Sequence, residues 1–152
     1  MKRVFLSFKM EDKKQVDGVR LLAWHEHVDL EFYDESVRVP YDSENAAYIR
    51  SKIREKIARS SVAVGLLGSN TWQSKWVDWE LSTARQAGKT IVLMGLPNGP
   101  QTLKLPPSVK DLGWWLWNVQ QLQNLIDNVL YPEAKLCFGQ QVSMREFAPA
   151  TC

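Results

Sequence analysis

Hydrophobic residues along this chain follow two patterns, short continuous runs and stripes of one residue in every three or four. Residues 62–67 (VAVGLL) are apolar throughout, which is typical of a strand buried on both faces of a parallel sheet. Ala46, Ile49, Ile53 and Ile57 form one stripe, with charged residues opposite, and so predict an amphipathic helix. The patterns predict strands at residues 3–8, 30–33, 62–67, 90–96 and 114–117, and helices at 11–25, 46–59, 74–86 and 118–130.

This alternation of strands and helices predicts the fold class. Parallel neighbours need crossover connections, which are right-handed and place helices on the sheet. We therefore expect an α/β fold with an open parallel five-stranded sheet of the flavodoxin-like kind and helices on both faces. In the first strand Val4, Leu6 and Phe8 face one way and Phe5 the other, so both of its faces are predicted to be buried. Residues 1–131 are predicted to form one domain, and 132–152 a C-terminal tail to which no element is assigned.

Composition narrows the class of protein. With 45% apolar and 24% charged residues, the 152-residue chain is typical of a soluble globular domain. The net charge of +2 and the lack of a dense Lys/Arg run predict no nucleic-acid partner. No apolar run approaches the roughly 20 residues of a membrane helix, so no membrane partner is expected. Only Cys137 and Cys152 occur and no signal peptide is recognisable, which favours a cytoplasmic location.

Several common kinds of site are absent from the sequence. Neither of the usual glycine-rich phosphate-binding motifs is present. His25 and His27, the only histidines, are spaced i, i+2 and would not share a helix face, so we expect no metal site. A phosphoacceptor receiver domain would suit the five-strand pattern, and Glu11 and Asp12 could be its acidic pair. The predicted third strand, however, is followed by Gly68 and Ser69 instead of the acceptor aspartate.

Glu80 is the main candidate for chemistry. It lies early in the helix predicted after strand 62–67, and the carboxyl ends of strands are where open α/β sheets bind ligands. Trp76 is its i, i+4 neighbour, and a carboxyl beside an indole ring is partly desolvated, which favours a raised pKa. The alternative is a plain helix N-terminal carboxylate stabilised by the helix dipole. Spacing alone slightly favours this alternative over catalysis.

Three segments together carry a family resemblance. Residues 4–8 (VFLSF), followed by Glu11 and Asp12, resemble the opening box of TIR domains. Residues 60–69 resemble the family's central strand, and residues 74–81 (SKWVDWEL) are similar to its Trp-Cys-x-x-Glu-Leu box. Over about residues 2–129 the chain thus resembles the TIR superfamily, and within it the bacterial TIR-like proteins of the Thoeris anti-phage system. There are departures from the family pattern, with Val77 in place of the common Cys and Pro40-Tyr41 in place of Pro-Gly.

The resemblance implies an activity, cleavage of the nicotinamide–ribose bond of NAD. By motif position Glu80 would be the catalytic residue, Ser7 and Phe8 would line the substrate pocket, Trp76 would form one wall, and the loop at 34–45 would act as a lid. NAD would be the substrate, with no metal and no separate cofactor. Self-association, and an ADP-ribose-derived product that activates a downstream effector, are also implied.

Two alternatives to this activity stay open. One is a non-catalytic TIR-like interaction module, in which Glu80 would be only a helix-end charge. The other is a nucleoside deoxyribosyltransferase, which resembles this chain in size, fold class and use of a glutamate, there as a covalent nucleophile.

Overall fold

Parallel strands alternate with helices in the computed structural model, which describes residues 2–23, 28–31, 41–97 and 99–130. The strands in these residues are β1 (Lys2–Ser7), β2 (Val28–Glu31), β3 (Val62–Leu67) and β4 (Thr90–Gly95). The α-helices are α1 (Lys13–Ala23), α2 (Ala46–Arg59), α3 (Lys75–Gln86) and α4 (Val119–Leu130), with short 3-10 turns at Met10–Asp12, Thr71–Gln73 and Pro107–Val109. The two histidines, most of the predicted lid and the predicted tail lie outside the described residues.

The sheet has the strand order β2-β1-β3-β4, and all of its pairings are parallel. Phe5 of β1 lies between Glu31 of β2 and Ala63 of β3, and Ala63 in turn lies opposite Ile91 of β4, so β1 and β3 are central strands. The chain leaves β1 toward one edge of the sheet to make β2, then crosses to the other side for β3 and β4. The carboxyl ends of β1 and β3 therefore flank the topological switch point, where sheets of this class bind ligands.

Each face of the sheet carries its own hydrophobic core. On one face, Val4 and Leu6 of β1 pack with Val16 of α1 and Leu122 of α4. On the other face, residues of the same strands pack against α2 and α3; this second core includes Phe5, Ala63, Ile53, Leu81 and Leu93. Every residue of β3 is buried, as its continuous apolar sequence predicts. The expected α/β class, with a parallel sheet and helices on both faces, is confirmed.

The predicted fifth strand at 114–117 is reduced to one bridge in the described part of the chain. Trp115 pairs in parallel with Met94, donating its N–H to Leu93 and accepting from the Gly95 N–H, both at 2.9 Å. The bridge does not extend because Asn118, only three residues later, caps the start of α4, where its side-chain oxygen accepts the Gln121 N–H. The sheet of the described residues thus has four strands and not five.

No helix within the described ranges is long and apolar enough to cross a membrane.

A matched pair of leucine substitutions tests the packing of α4. Leu122 is fully buried (0% exposed), whereas Leu21 on α1 is 87% exposed. We expect Leu122→Ala to lower the free energy of unfolding by about 2–5 kcal/mol, because it leaves a cavity between α4 and the sheet. Leu21→Ala should change it by no more than about 0.5 kcal/mol. Urea denaturation measures both, and equal effects would show that α4 does not pack as described.

Candidate active site at the carboxyl ends of β1 and β3

Glu80 faces the interior from the second turn of α3. The helix begins at Lys75 because the Ser74 hydroxyl accepts the Val77 N–H at 3.2 Å, a side-chain N-cap. Its inward stripe has the helical spacing of three and four residues and consists of Trp76, Val77, Glu80, Leu81 and Ala84. Glu80 occupies one position of this otherwise apolar stripe and is only 4% exposed. Glu80 is therefore a buried group and not a solvent-exposed one.

Ser7, the last residue of β1, donates a hydrogen bond to Glu80. Its hydroxyl lies 2.7 Å from Oε1 of the carboxyl group, and both side chains are buried. Ser7 pairs in the sheet with Gly65 of β3. A Cβ at Gly65 would lie 2.9 Å from a methyl carbon of Leu93 and 3.3 Å from one of Leu81. The missing side chain at Gly65 lets α3 pack closely on the sheet beside Ser7.

Burial controls the ionisation of Glu80. Removal from water raises the pKa of its carboxyl group to about 8, and the hydrogen bond from Ser7 opposes this rise only in part. At neutral pH in this conformation the group is therefore mainly protonated. A carboxyl whose charge changes near neutral pH, placed where the sheet changes strand order, has the properties expected of a functional residue.

Trp76, one turn before Glu80, belongs to an aromatic layer between α2 and α3. Its ring makes edge-to-face contacts with Tyr41 at 5.1 Å and with Trp79 at 6.1 Å between centroids. The guanidinium of Arg50 lies 4.9 Å from the Tyr41 ring centre, and that of Arg54 lies 5.3 Å from that of Trp79. The layer thus connects Tyr41, which belongs to the predicted lid at 34–45, with α3, the helix that carries Glu80. Sequence spacing gave no signal for Arg50 and Arg54, because these contacts join separate elements.

Phe8 lies apart from the other predicted site residues. Side chains alternate along β1, so Ser7 shares a face with Phe5, while Phe8 follows Val4 and Leu6. Phe8 is buried in the core that contains α1 and α4. The structure thus brings Ser7 and Glu80 into contact, places Trp76 on the same sheet face, and leaves the side chain of Phe8 on the opposite face.

Two cavities open near the carboxyl ends of β3 and β4. One of about 260 Å³ is lined in part by Trp72 and Lys104, and one of about 330 Å³ is lined in part by Trp114 and Trp117. Neither is lined by Ser7 or Glu80. No group of three His, Cys, Asp or Glu side chains that could hold a metal ion occurs in the residues described here.

Two solved structures give a measure of structural similarity. The TIR domains of the activated Roq1 resistosome, which directly recognizes the pathogen effector XopQ, have a TM-score of 0.48 and 20% identity, over 62% of this chain and 57% of that one. A 2-desoxiribosyltransferase from Leishmania mexicana has a TM-score of 0.45 and 19% identity, over 62% of this chain and 65% of that one. The similar region spans less than two thirds of either structure's own chain. Both TM-scores are below 0.5, so neither similarity is an argument for function.

A family comparison gives a clearer result. No curated protein sequence matches the chain. The profile of the family described as "Thoeris protein ThsB, TIR-like domain" matches residues 5–101, which is well over half of the 152 residues. The matched region contains the last three residues of β1, which include Ser7, all of β3, and α3 with Trp76 and Glu80. The resemblance inferred from these motifs is confirmed: the chain belongs to the family of TIR-like domains of the Thoeris protein ThsB.

Proposed function

We propose that this chain cleaves the nicotinamide–ribose bond of NAD, with the Glu80 carboxylate stabilising positive charge on the ribose, and that its ADP-ribose-derived product is a signal in anti-phage defence. The observation that carries this proposal is the buried hydrogen bond of 2.7 Å between Ser7 and Glu80 at the switch point of the sheet. Membership of the Thoeris ThsB family supports it.

The proposed reaction suits a site with one carboxylate. The bond between the ribose anomeric carbon and the nicotinamide nitrogen breaks, and its electron pair leaves with nicotinamide as a neutral base. Because the leaving group needs no proton, no general acid is required. The ribose passes through an oxocarbenium-like state, which a nearby carboxylate stabilises electrostatically. Water or a hydroxyl group then adds to the anomeric carbon and releases a proton.

Each nearby side chain has a role in this proposal. Ser7 holds Oε1 of Glu80 in the resting state, and a ribose hydroxyl takes over that hydrogen bond when substrate binds. Trp76, whose ring contacts that of Tyr41, forms a wall of the pocket, and the loop at 34–45 has the role of a lid in this proposal. Phe8 was predicted to line the same pocket; its side chain packs on the other face of β1, and its contact with substrate stays a prediction. NAD is the substrate, and the proposal includes no metal and no separate cofactor.

The cellular setting is part of the same proposal. We place the reaction in the cytoplasm and expect the chain to self-associate. The nucleotide product diffuses to a downstream effector protein, which needs no direct contact with this chain.

A second candidate function, a non-catalytic TIR-like interaction module, is favoured by one observation. Glu80 is enclosed, and its raised pKa keeps it uncharged at neutral pH, so a packing role would also account for it. A nucleoside deoxyribosyltransferase is tested separately, by supplying deoxynucleosides and a free base instead of NAD. The choice of substrate separates the two enzymes from each other, and substitution of Glu80 separates both from the interaction module, because only an enzyme has a rate to lose.

The first prediction concerns the rate of the Glu80→Gln variant. The amide keeps the shape of the side chain and can still accept from Ser7, but it carries no negative charge. We expect the rate of nicotinamide release from NAD to fall by roughly 10²–10⁴, about 3–5 kcal/mol in the barrier. Glu55→Gln, at an exposed position of α2, is the matched control and should keep the wild-type rate. A Glu80→Gln variant that keeps more than a third of that rate would show that Glu80 is not the catalytic group.

The second prediction concerns stability. Between the ordinary pKa of 4.5 and the folded-state pKa of about 8, the folded chain keeps a proton on Glu80 that the unfolded chain has lost. The stability contributed by this proton is complete below pH 4.5 and falls by about 1.4 kcal/mol per pH unit up to pH 8, on the order of 5 kcal/mol in all. Glu80→Gln removes this dependence and should be the more stable protein at pH 8. Denaturant titrations of both proteins from pH 5 to pH 9 measure the difference, and parallel curves would contradict the prediction.

The third prediction concerns the pH dependence of the rate. The ionised carboxylate is the active form, so kcat/KM, which reports the free protein, should rise with pH through about 8. The transition in kcat should lie at lower pH, because the cationic nicotinamide ring of bound NAD favours the charged carboxylate. Steady-state rates from pH 6 to pH 9 provide the test. A profile that is flat or falls over this range is incompatible with the assigned role.

A further inference from the structure

The outer side of α3 is held by a group of hydrogen bonds that the proposed reaction does not use. Asp78 accepts the Ser108 N–H at 2.7 Å through its carboxylate, and its backbone carbonyl accepts the Ser108 hydroxyl at 3.1 Å. Arg85 donates to the Ser108 carbonyl at 2.9 Å and makes a two-point contact with the carboxylate of Asp111, at 2.8 and 2.7 Å. We refer to Asp78, Arg85, Ser108 and Asp111 as the α3 clamp.

The clamp holds α3 on both sides of Glu80 along the chain. Asp78 precedes Glu80 by two residues and Arg85 follows it by five. At about 100° per residue, these positions lie roughly 200° and 140° around the helix from Glu80. The clamp thus contacts the side of α3 that faces away from the sheet, whereas Glu80 faces the sheet.

The hydrogen bonds of the clamp define the orientation of α3, which its apolar face does not. The inward neighbours of Glu80, such as Val77, Leu81 and Ala84, are apolar, and the attraction between apolar surfaces has no preferred direction. Hydrogen bonds weaken steeply when misaligned, and an arginine–carboxylate pair joined at two points also defines an orientation. The hydrogen bonds with Arg85 lower the pKa of Asp111 to about 2, so this pair stays charged throughout the neutral range.

We infer that Asp78, Arg85, Ser108 and Asp111 are positioning residues, which set the rotation and the axial position of α3 and thereby hold Glu80 against Ser7. The consequence for catalysis rests on the proposed function. The consequence for the surroundings of Glu80 does not, because it concerns the folded protein alone.

Three Asp→Ala variants and one conservative change test the inference. Asp78→Ala and Asp111→Ala each remove part of the clamp, whereas Asp17→Ala removes the surface pairs of α1 with Lys13 and Arg20 and serves as the control. We expect the two clamp variants to lower kcat for nicotinamide release about tenfold with KM within about twofold, since positioning affects the transition state more than binding. Asp78→Asn should recover at least half of the wild-type kcat, because its amide oxygen can still accept the Ser108 N–H. Asp17→Ala should match the wild type.

A second readout does not depend on NAD cleavage. The wild type and each variant are also prepared with Glu80→Gln added. The difference in unfolding free energy between each protein and its Glu80→Gln form, measured from pH 5 to pH 8, isolates the titration of Glu80. Loss of the clamp should admit water to the carboxyl group and reduce this pH dependence by at least half, while Asp17→Ala leaves it unchanged. Clamp variants with the wild-type pH dependence would overturn the inference, whatever their activity.

If Asp78→Ala does not fold, Asp111→Ala, at an exposed position, decides the question. Absence of NAD cleavage by the wild type would instead reject the proposed function alone.

Discussion

The burial of the Glu80 carboxyl against Ser7 is the constraint on which the site depends. Removing a carboxyl group from water costs free energy unless the group is hydrogen-bonded or uncharged. At neutral pH Glu80 accepts a hydrogen bond from Ser7 and is mainly uncharged. Tight packing of α3 on the sheet, allowed by Gly65, brings the group to the end of β1. An apolar side chain at position 80 would fit the apolar stripe of α3 without the cost of burying a carboxyl group. A residue that breaks a local packing rule in this way is the expected sign of a functional site.

Much of the fold could be predicted from the sequence, because its helices and central strands have strong periodic patterns. The all-apolar β3 and the stripe of Ile49, Ile53 and Ile57 on α2 are examples. The segment around Trp115 was predicted less well. Its aromatic residues favour a strand, but α4 begins only four residues after Trp115 and leaves room for a single bridge to Met94. Helix capping competes there with strand pairing, and a pattern of apolar residues does not show which one prevails.

The candidate site was predictable only in part, for physical reasons that differ between residues. Glu80 and Trp76 share a helix face, so spacing alone places them together. The pairing of Glu80 with Ser7 depends on tertiary packing over 73 residues of sequence, and family resemblance was the only guide to it. Alternation along β1 placed Phe8 with Val4 and Leu6, as observed, while the resemblance placed it in the pocket; its contact with substrate stays a prediction. The α3 clamp joins Asp78 to Ser108 across a proline-containing loop, and no local pattern marks such a pair.

The central claim is that this chain cleaves NAD at a site built around Glu80. Mass spectrometry of the products formed from NAD by the wild-type chain, over a range of protein concentrations, tests it most directly. The account predicts nicotinamide and an ADP-ribose-derived product in equal amounts. Recovery of intact NAD at every concentration, from protein shown to be folded, would contradict it.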